Sequence, residues 1–325
     1  MFISFSRLLA SLMLCATVAG CALPSPRMAG PTPARTLDGA SARSVTIISE
    51  GTRLAATVYT PAGIDSSAKL PTIVMAQGWG GMASGLETEA VEFARTGYLV
   101  LTFDYRGWGA SESRVLLTQP SAAPAGHRYT AEVQEVRELI DPEDMVTDWL
   151  NVLHWLQGEP QCDTARIGLW GTGFSGGMVV TAAVRDGRVK AVYSRVGVFP
   201  RSGQPRSSDL DKEATQRARG EIGYPAANTH LLDDRKGSPI AARFFTYSPI
   251  DDVRALGKVP LAIVVAKSEE LFDNREHGLL AYELHTGPKK LVTVDSTHRN
   301  IYFLGARKQA HEVAQAWFDQ HLKAR

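Results

Sequence analysis

The sequence is short of cysteine, of net charge and of long apolar runs, and each shortage removes a class of protein. Its three cysteines, Cys15, Cys21 and Cys162, stand far apart and show none of the paired spacings that close around zinc. A balance of 35 basic against 34 acidic residues leaves a formal charge of +1, and no basic run exceeds a pair. That balance gives no footprint for a phosphate backbone, so nucleic acid is not an expected partner. No metal, nucleotide or flavin motif stands out, and no cofactor is expected. What is present is ordinary globular composition, 44% hydrophobic and 21% charged in 325 residues, with no internal repeat and no sign of a second domain.

The N-terminal residues read as an address. Arg7 is the only charge before the apolar stretch Leu8–Gly20, which has the length of a signal-peptide core and is too short for a comfortable membrane span. Val18-Ala19-Gly20-Cys21 follows and resembles the bacterial lipobox, in which a cysteine after small residues is lipidated and becomes the mature N-terminus. The resemblance implies a signal peptide over 1–20, lipidation at Cys21 and a place in the bacterial cell envelope, held to a membrane and facing the periplasm or the exterior. Cys15 is a poor alternative because Leu14 precedes it. Residues 21–43 are rich in Pro, Ala, Gly and Ser without apolar periodicity and read as a flexible tether, with the folded domain expected over 44–325.

Beyond the tether, short β-rich runs alternate with helical patterns. Val45–Ile48 and Leu54–Tyr59 suggest an opening antiparallel pair. Thr72–Ala76, Leu99–Phe103, Ile167–Trp170, Val189–Ser194, Leu261–Val265 and Leu291–Val294 are apolar runs of the kind that form parallel strands buried on both faces. Glu87–Thr96 ends at Gly97, and Asp141-Pro142-Glu143-Asp144 offers an N-cap, a first-turn proline and acidic charge for the helix dipole. The alternation predicts an α/β fold, a mostly parallel central sheet with helices on both faces. Residues 113–140 and 200–247 break the rhythm and read as insertions, a cap region near the C-terminal strand ends where such sheets place their ligands.

Five segments lie where chemistry would sit. They are Gln77-Gly78-Trp79-Gly80-Gly81, Phe103-Asp104-Tyr105-Arg106-Gly107-Trp108-Gly109-Ala110-Ser111, Gly171-Thr172-Gly173-Phe174-Ser175-Gly176-Gly177, Ser268-Glu269-Glu270 and Thr297-His298-Arg299, each after a strand. Together they resemble the α/β-hydrolase superfamily, in particular its dienelactone-hydrolase-like and Xaa-Pro-peptidase and cocaine-esterase-like branches. The resemblance implies a hydrolase acting on a small-molecule acyl substrate, an ester, a thioester or a similarly activated carbonyl. It implies an oxyanion hole using the Trp79 amide and the amide after the nucleophile, Phe174 or Gly176 according to register. His298, between the last strand and the closing helix, is the candidate base, and Glu269 the candidate acid with Glu270 close behind. The Asp104–Gly109 segment reads as loop structure and not as chemistry.

Two registers compete at the turn. A literal G-x-S-x-G over Gly173–Gly177 makes Ser175 the nucleophile of a lipid-anchored serine hydrolase. The alternative puts Gly173 in the nucleophile slot, which leaves either a non-catalytic pseudo-hydrolase that binds or scaffolds, or an enzyme that uses water activated by His298.

Overall fold

The computed structural model describes residues 33–120, 129–201, 208–228, 230–232 and 235–323. Residues 1–20, expected to be a signal peptide, and Cys21 lie outside the described residues. Nine strands form one sheet: β1 (Arg35–Leu37), β2 (Ala40–Ser49), β3 (Thr52–Pro61), β4 (Leu70–Ala76), β5 (Leu99–Phe103), β6 (Cys162–Thr172), β7 (Val189–Arg195), β8 (Leu261–Ser268) and β9 (Lys289–Thr297), in the spatial order β1-β2-β3-β5-β4-β6-β7-β8-β9. The first three strands and the β3–β5 junction are antiparallel, and every pairing from β5 through β9 is parallel. All seven residues of β4 and all five of β5 are buried, which is why they read as unbroken apolar runs and not as alternation.

Helices cover both faces. On one, α2 (Pro142–Trp155), α3 (Phe174–Arg185), α5 (Pro249–Ala255) and α6 (Gly278–Leu284) pack Met145, Trp149, Met178, Ile250 and Ala281 into a single core. On the other, α1 (Glu87–Arg95) and α7 (Leu304–Phe318) bury Phe93, Ala310, Ala314 and Trp317. The Asp141 carboxylate accepts the amides of Glu143 and Asp144 at 3.1 and 3.2 Å, so the sequence's N-cap signal marks the real start of α2.

One expectation needs correction. The tether over 21–43 contains β1 and the start of β2, where Ala40 and Ala42 are fully buried. Small alanines on a strand whose partner supplies the bulk leave no periodicity to read. The 113–140 stretch, weak in strand signal, forms a hairpin between Arg114–Leu117 and Val133–Val136, exposed enough to lack an apolar face. The second insertion holds α4 (Ser208–Ala218). The two insertions meet: Ser238–Pro239 pairs in parallel with Leu139–Ile140, and the Trp108 indole donates to the Leu139 carbonyl at 3.0 Å. The Phe244 ring of the second insertion lies tilted against Phe174, 5.8 Å between centroids, which brings the insertion over the start of α3.

Candidate active site

Strand β6 runs into α3 through one residue, Gly173, with φ +56° and ψ −125°. This is left-handed backbone that costs a side-chain-bearing residue roughly 1–3 kcal/mol, and it forms the apex of a sharp strand-to-helix elbow. A Cβ added at Gly173 would lie 3.6 Å from Tyr302 Oη, 3.8 Å from Gly78 Cα and 3.9 Å from His298 Nε2. The apex therefore faces the histidine and has room for a small side chain. The elbow's amide and carbonyl are tied to neighbouring backbone, with Gly173 N–H donating to Arg195 O at 3.0 Å and Gly176 and Val198 amides donating to Gly173 O at 2.9 Å.

That register corrects two assignments. Ser175 lies two residues into the helix, 0% exposed, and its hydroxyl points into the core and not at His298. It closes a buried chain of hydroxyls: Trp149 Nε1–H donates to Tyr105 Oη at 2.7 Å, Tyr105 Oη lies 2.6 Å from Ser175 Oγ, and Ser175 Oγ–H donates to the Gln77 carbonyl. A hydroxyl so enclosed has neither a base nor a path to substrate, and its work is to tie α3 to the Gln77 loop. Gly176 is likewise unavailable as an oxyanion donor, because its N–H is spent on Gly173 O.

The amides of Trp79 and Phe174 are different. Among the described residues neither donates to a protein acceptor, although both stand beside the apex. Phe174 is the first residue of α3, where the helix leaves its amides unpaired. A side chain at Gly78 would meet Thr172 O at 2.7 Å and Phe174 N at 2.8 Å, so only glycine lets this loop close against the elbow. Asp104 anchors the far side of the loop by accepting the Ala83 amide at 2.7 Å and the Ala110 amide at 3.1 Å, in keeping with a structural Asp104–Gly109 segment.

The late loops bring an acid and a base together. His298 Nδ1 lies 2.9 Å from Glu269 Oε1 and 3.0 Å from Oε2, with both side chains almost wholly buried. Glu270 turns away from the ring and grips the backbone: it accepts the His298 amide at 2.6 Å and the Arg299 amide at 3.1 Å. Burial works to raise the Glu270 pKa, but these amides outweigh it and hold the carboxyl below its ordinary value. So Glu269 orients the imidazole while Glu270 fixes the loop that carries it.

Sequence reasoning missed two residues of this site. Tyr302, in the turn after His298, places Oη 3.5 Å from Nε2. Arg195, at the end of β7 and 1% exposed, is ion-paired with buried Glu89 and lies between the Trp170 and Tyr302 rings, 4.7 and 4.9 Å from their centroids. No motif flags either one, because their positions follow from which strand ends the sheet order brings side by side. With Gly78, Trp79, Gly173 and His298 they line an open cleft of about 520 Å³.

The chain is similar to several known proteins. The model of the X-Pro dipeptidyl-peptidase (S15) family matches residues 50–205. An uncharacterized 31.7 kDa protein from the traX-finO intergenic region of Escherichia coli is 26% identical, over 85% of this chain and 98% of its own length. The thiohydrolase aneE of Aspergillus aculeatus is 29% identical, over 78% of this chain and 86% of its own. Among solved structures, the α/β hydrolase GrgF from Penicillium sp. sh18 superposes with a TM-score of 0.68 at 19% identity, covering 88% of this chain and 99% of its own. The parallel sheet with helices on both faces, the elbow at Gly173 and these similarities together give the chain the α/β-hydrolase fold.

Proposed function

We propose that the protein hydrolyses an activated acyl compound, an ester or thioester, in a single displacement by water and without an acyl-enzyme. The observation that carries this reading is the juxtaposition at the elbow: a paired His298–Glu269 beside two unpartnered amides, around an apex that bears no side chain. The point that a Cβ at Gly173 would mark lies 3.9 Å from His298 Nε2, so a water about 1 Å closer to the ring comes within hydrogen-bond reach of it. In the proposed step a lone pair of that water attacks the carbonyl carbon while its proton passes to Nε2. Glu269 holds the ring in the tautomer that leaves Nε2 free and stabilises the imidazolium. The amides of Phe174 and Trp79 donate hydrogen bonds to the carbonyl oxygen as negative charge develops on it. Collapse expels the alcohol or thiol, which takes the proton back from His298, and the acid departs. The thiohydrolase name of a relative that matches most of the chain supports an acyl thioester among the substrates. Incubation with a p-nitrophenyl acyl ester should give steady release from the first turnover and no acyl adduct in the intact mass. A stoichiometric burst with a covalent acyl group would overturn the single-displacement reading.

The same reading extends to location: Arg7, the apolar stretch and Val18-Ala19-Gly20-Cys21 support export and lipid anchoring at Cys21, with the cleft facing the periplasm or the exterior. Metabolic labelling with a fatty-acid analogue should mark the full chain and fail to mark Cys21→Ser. An unlabelled wild type, free of membranes, would contradict it.

A further inference from the structure

Tyr302 is the unassigned side chain closest to the reacting position, and its hydroxyl ends a directed hydrogen-bond chain. Buried Arg195, neutralised by Glu89, donates through Nε to Thr172 Oγ1 at 3.3 Å, and Thr172 Oγ1–H donates to Tyr302 Oη at 3.2 Å. With Oη accepting from Thr172, its own proton points toward His298 Nε2, 3.5 Å away at the long limit of a hydrogen bond, and beside the elbow's apex, where an added Cβ would stand 3.6 Å from Oη, so a water entering there can take that proton as a hydrogen bond. Chains of this kind polarise one another, and a guanidinium at the head strengthens the last donor. Nε2, Oη and the apex stand nearly equidistant, so one small molecule can touch all three.

Resting on the hydrolytic reading above, we propose that Tyr302 is a catalytic residue: its phenol donates a hydrogen bond to the attacking water and, with His298 Nε2, fixes that water at the apex where a nucleophilic side chain would otherwise stand. One lone pair of the water takes the phenol proton as a hydrogen bond, one hydrogen goes to Nε2, and the second lone pair attacks the carbonyl carbon. Tyr302 stays neutral throughout and forms no bond to the acyl group. Burial raises its pKa, against the opposing effects of Arg195, Thr172 and Arg235, which keeps the phenol protonated at neutral pH as a donor must be. The ring itself packs against the Arg195 guanidinium and, at 6.0 Å between centroids, against His298. Phenylalanine preserves both contacts, so Tyr302→Phe isolates the hydroxyl.

The test measures p-nitrophenyl ester turnover and intact mass for the full-chain wild type, Tyr302→Phe, Gly173→Ser and the double variant. Tyr302→Phe should lower kcat about 10-fold or more with KM nearly unchanged, the loss expected of one well-placed hydrogen bond to a reacting atom. In the Gly173→Ser background a serine oxygen attacks in place of water, and the acylation burst should not respond to Tyr302→Phe. An unchanged kcat in Tyr302→Phe, or a change in KM alone, overturns the proposal and leaves the hydrolytic reading standing. An acyl group on Tyr302 of the wild type also overturns it, because the phenol would then be the nucleophile. A wild type that turns over no ester or thioester overturns the hydrolytic reading itself, and the assignment of Tyr302 with it. Should Tyr302→Phe not fold, Thr172→Val removes the donor to Oη, and an unchanged kcat there counts against the proposal in the same way.

Discussion

Replacing His298 by alanine should lower turnover of an activated ester by about 10²–10⁴-fold, the usual contribution of a positioned general base. The expectation rests on position: Nε2 is the one ring nitrogen facing the apex, since Nδ1 is committed to Glu269. Truncation also strands the buried Glu269 carboxylate, whose remaining protein hydrogen bond is the Leu271 amide at 3.1 Å. An unpaired buried charge destabilises, so the loss of rate must be read on folded protein. The combined variant His298→Ala/Glu269→Gln removes that charge and should recover stability without recovering rate. Stopped steady-state assays beside thermal melts separate the two effects. Full activity in folded His298→Ala would remove the base from the account.

Gly173→Ser is expected to create a serine hydrolase. The added Cβ meets its nearest neighbours at 3.6–3.9 Å, ordinary contact distances, with His298 Nε2 among them, so a rotamer aimed at Nε2 is expected for its oxygen. The proposed acid, base and oxyanion donors are already arranged around it, and triad members act as a unit, so the gain should be large: on the order of 100-fold in acylation over the wild-type hydrolytic rate. Backbone strain at φ +56° opposes this by roughly 1–3 kcal/mol of stability, well short of what unfolds a domain of this size. Burst kinetics with an aryl ester check it. A folded Gly173→Ser with no burst and no gain would mean that the elbow does not aim this position at His298.

Much of this arrangement is legible in the sequence, for reasons that differ by element. Strands β4 and β5 announce themselves because burial on both faces demands continuous apolar runs, and Leu99–Phe103 is bounded in the structure where the sequence bounds it. Glu269 and His298 are readable because each directly follows a strand that the apolar pattern marks, and the chain order of acid before base is fixed by topology. The register at the elbow is not readable from the motif. Gly173-Phe174-Ser175-Gly176-Gly177 satisfies a nucleophile pattern letter for letter, yet the last residue of β6 is Thr172, and the turn that follows is one residue long. Only the strand's end decides which residue is the apex, and strand ends are the least certain feature of any sequence pattern. Tyr302 and Arg195 were invisible for another reason. Their roles come from neighbours 130 and 106 positions away in the chain, Thr172 and Glu89, which the sheet order juxtaposes. Glu270 stands one residue further from the strand than Glu269, a thin signal in the sequence, and the two adjacent carboxylates diverge because one meets an imidazole and the other two backbone amides.

In the proposed reaction position 173 is the nucleophile slot, and its natural glycine has no side chain that could attack. A fluorophosphonate that modifies activated serines, followed by peptide mapping, tests it in one measurement on three proteins. The wild type and Ser175→Ala should both remain unmodified within the Gly171–Gly177 peptide, while Gly173→Ser should be labelled on residue 173 and lose that label when His298 is also replaced. Phosphonylation of Ser175 in the wild type, abolished by Ser175→Ala, would contradict the claim and restore Ser175 as the attacking group.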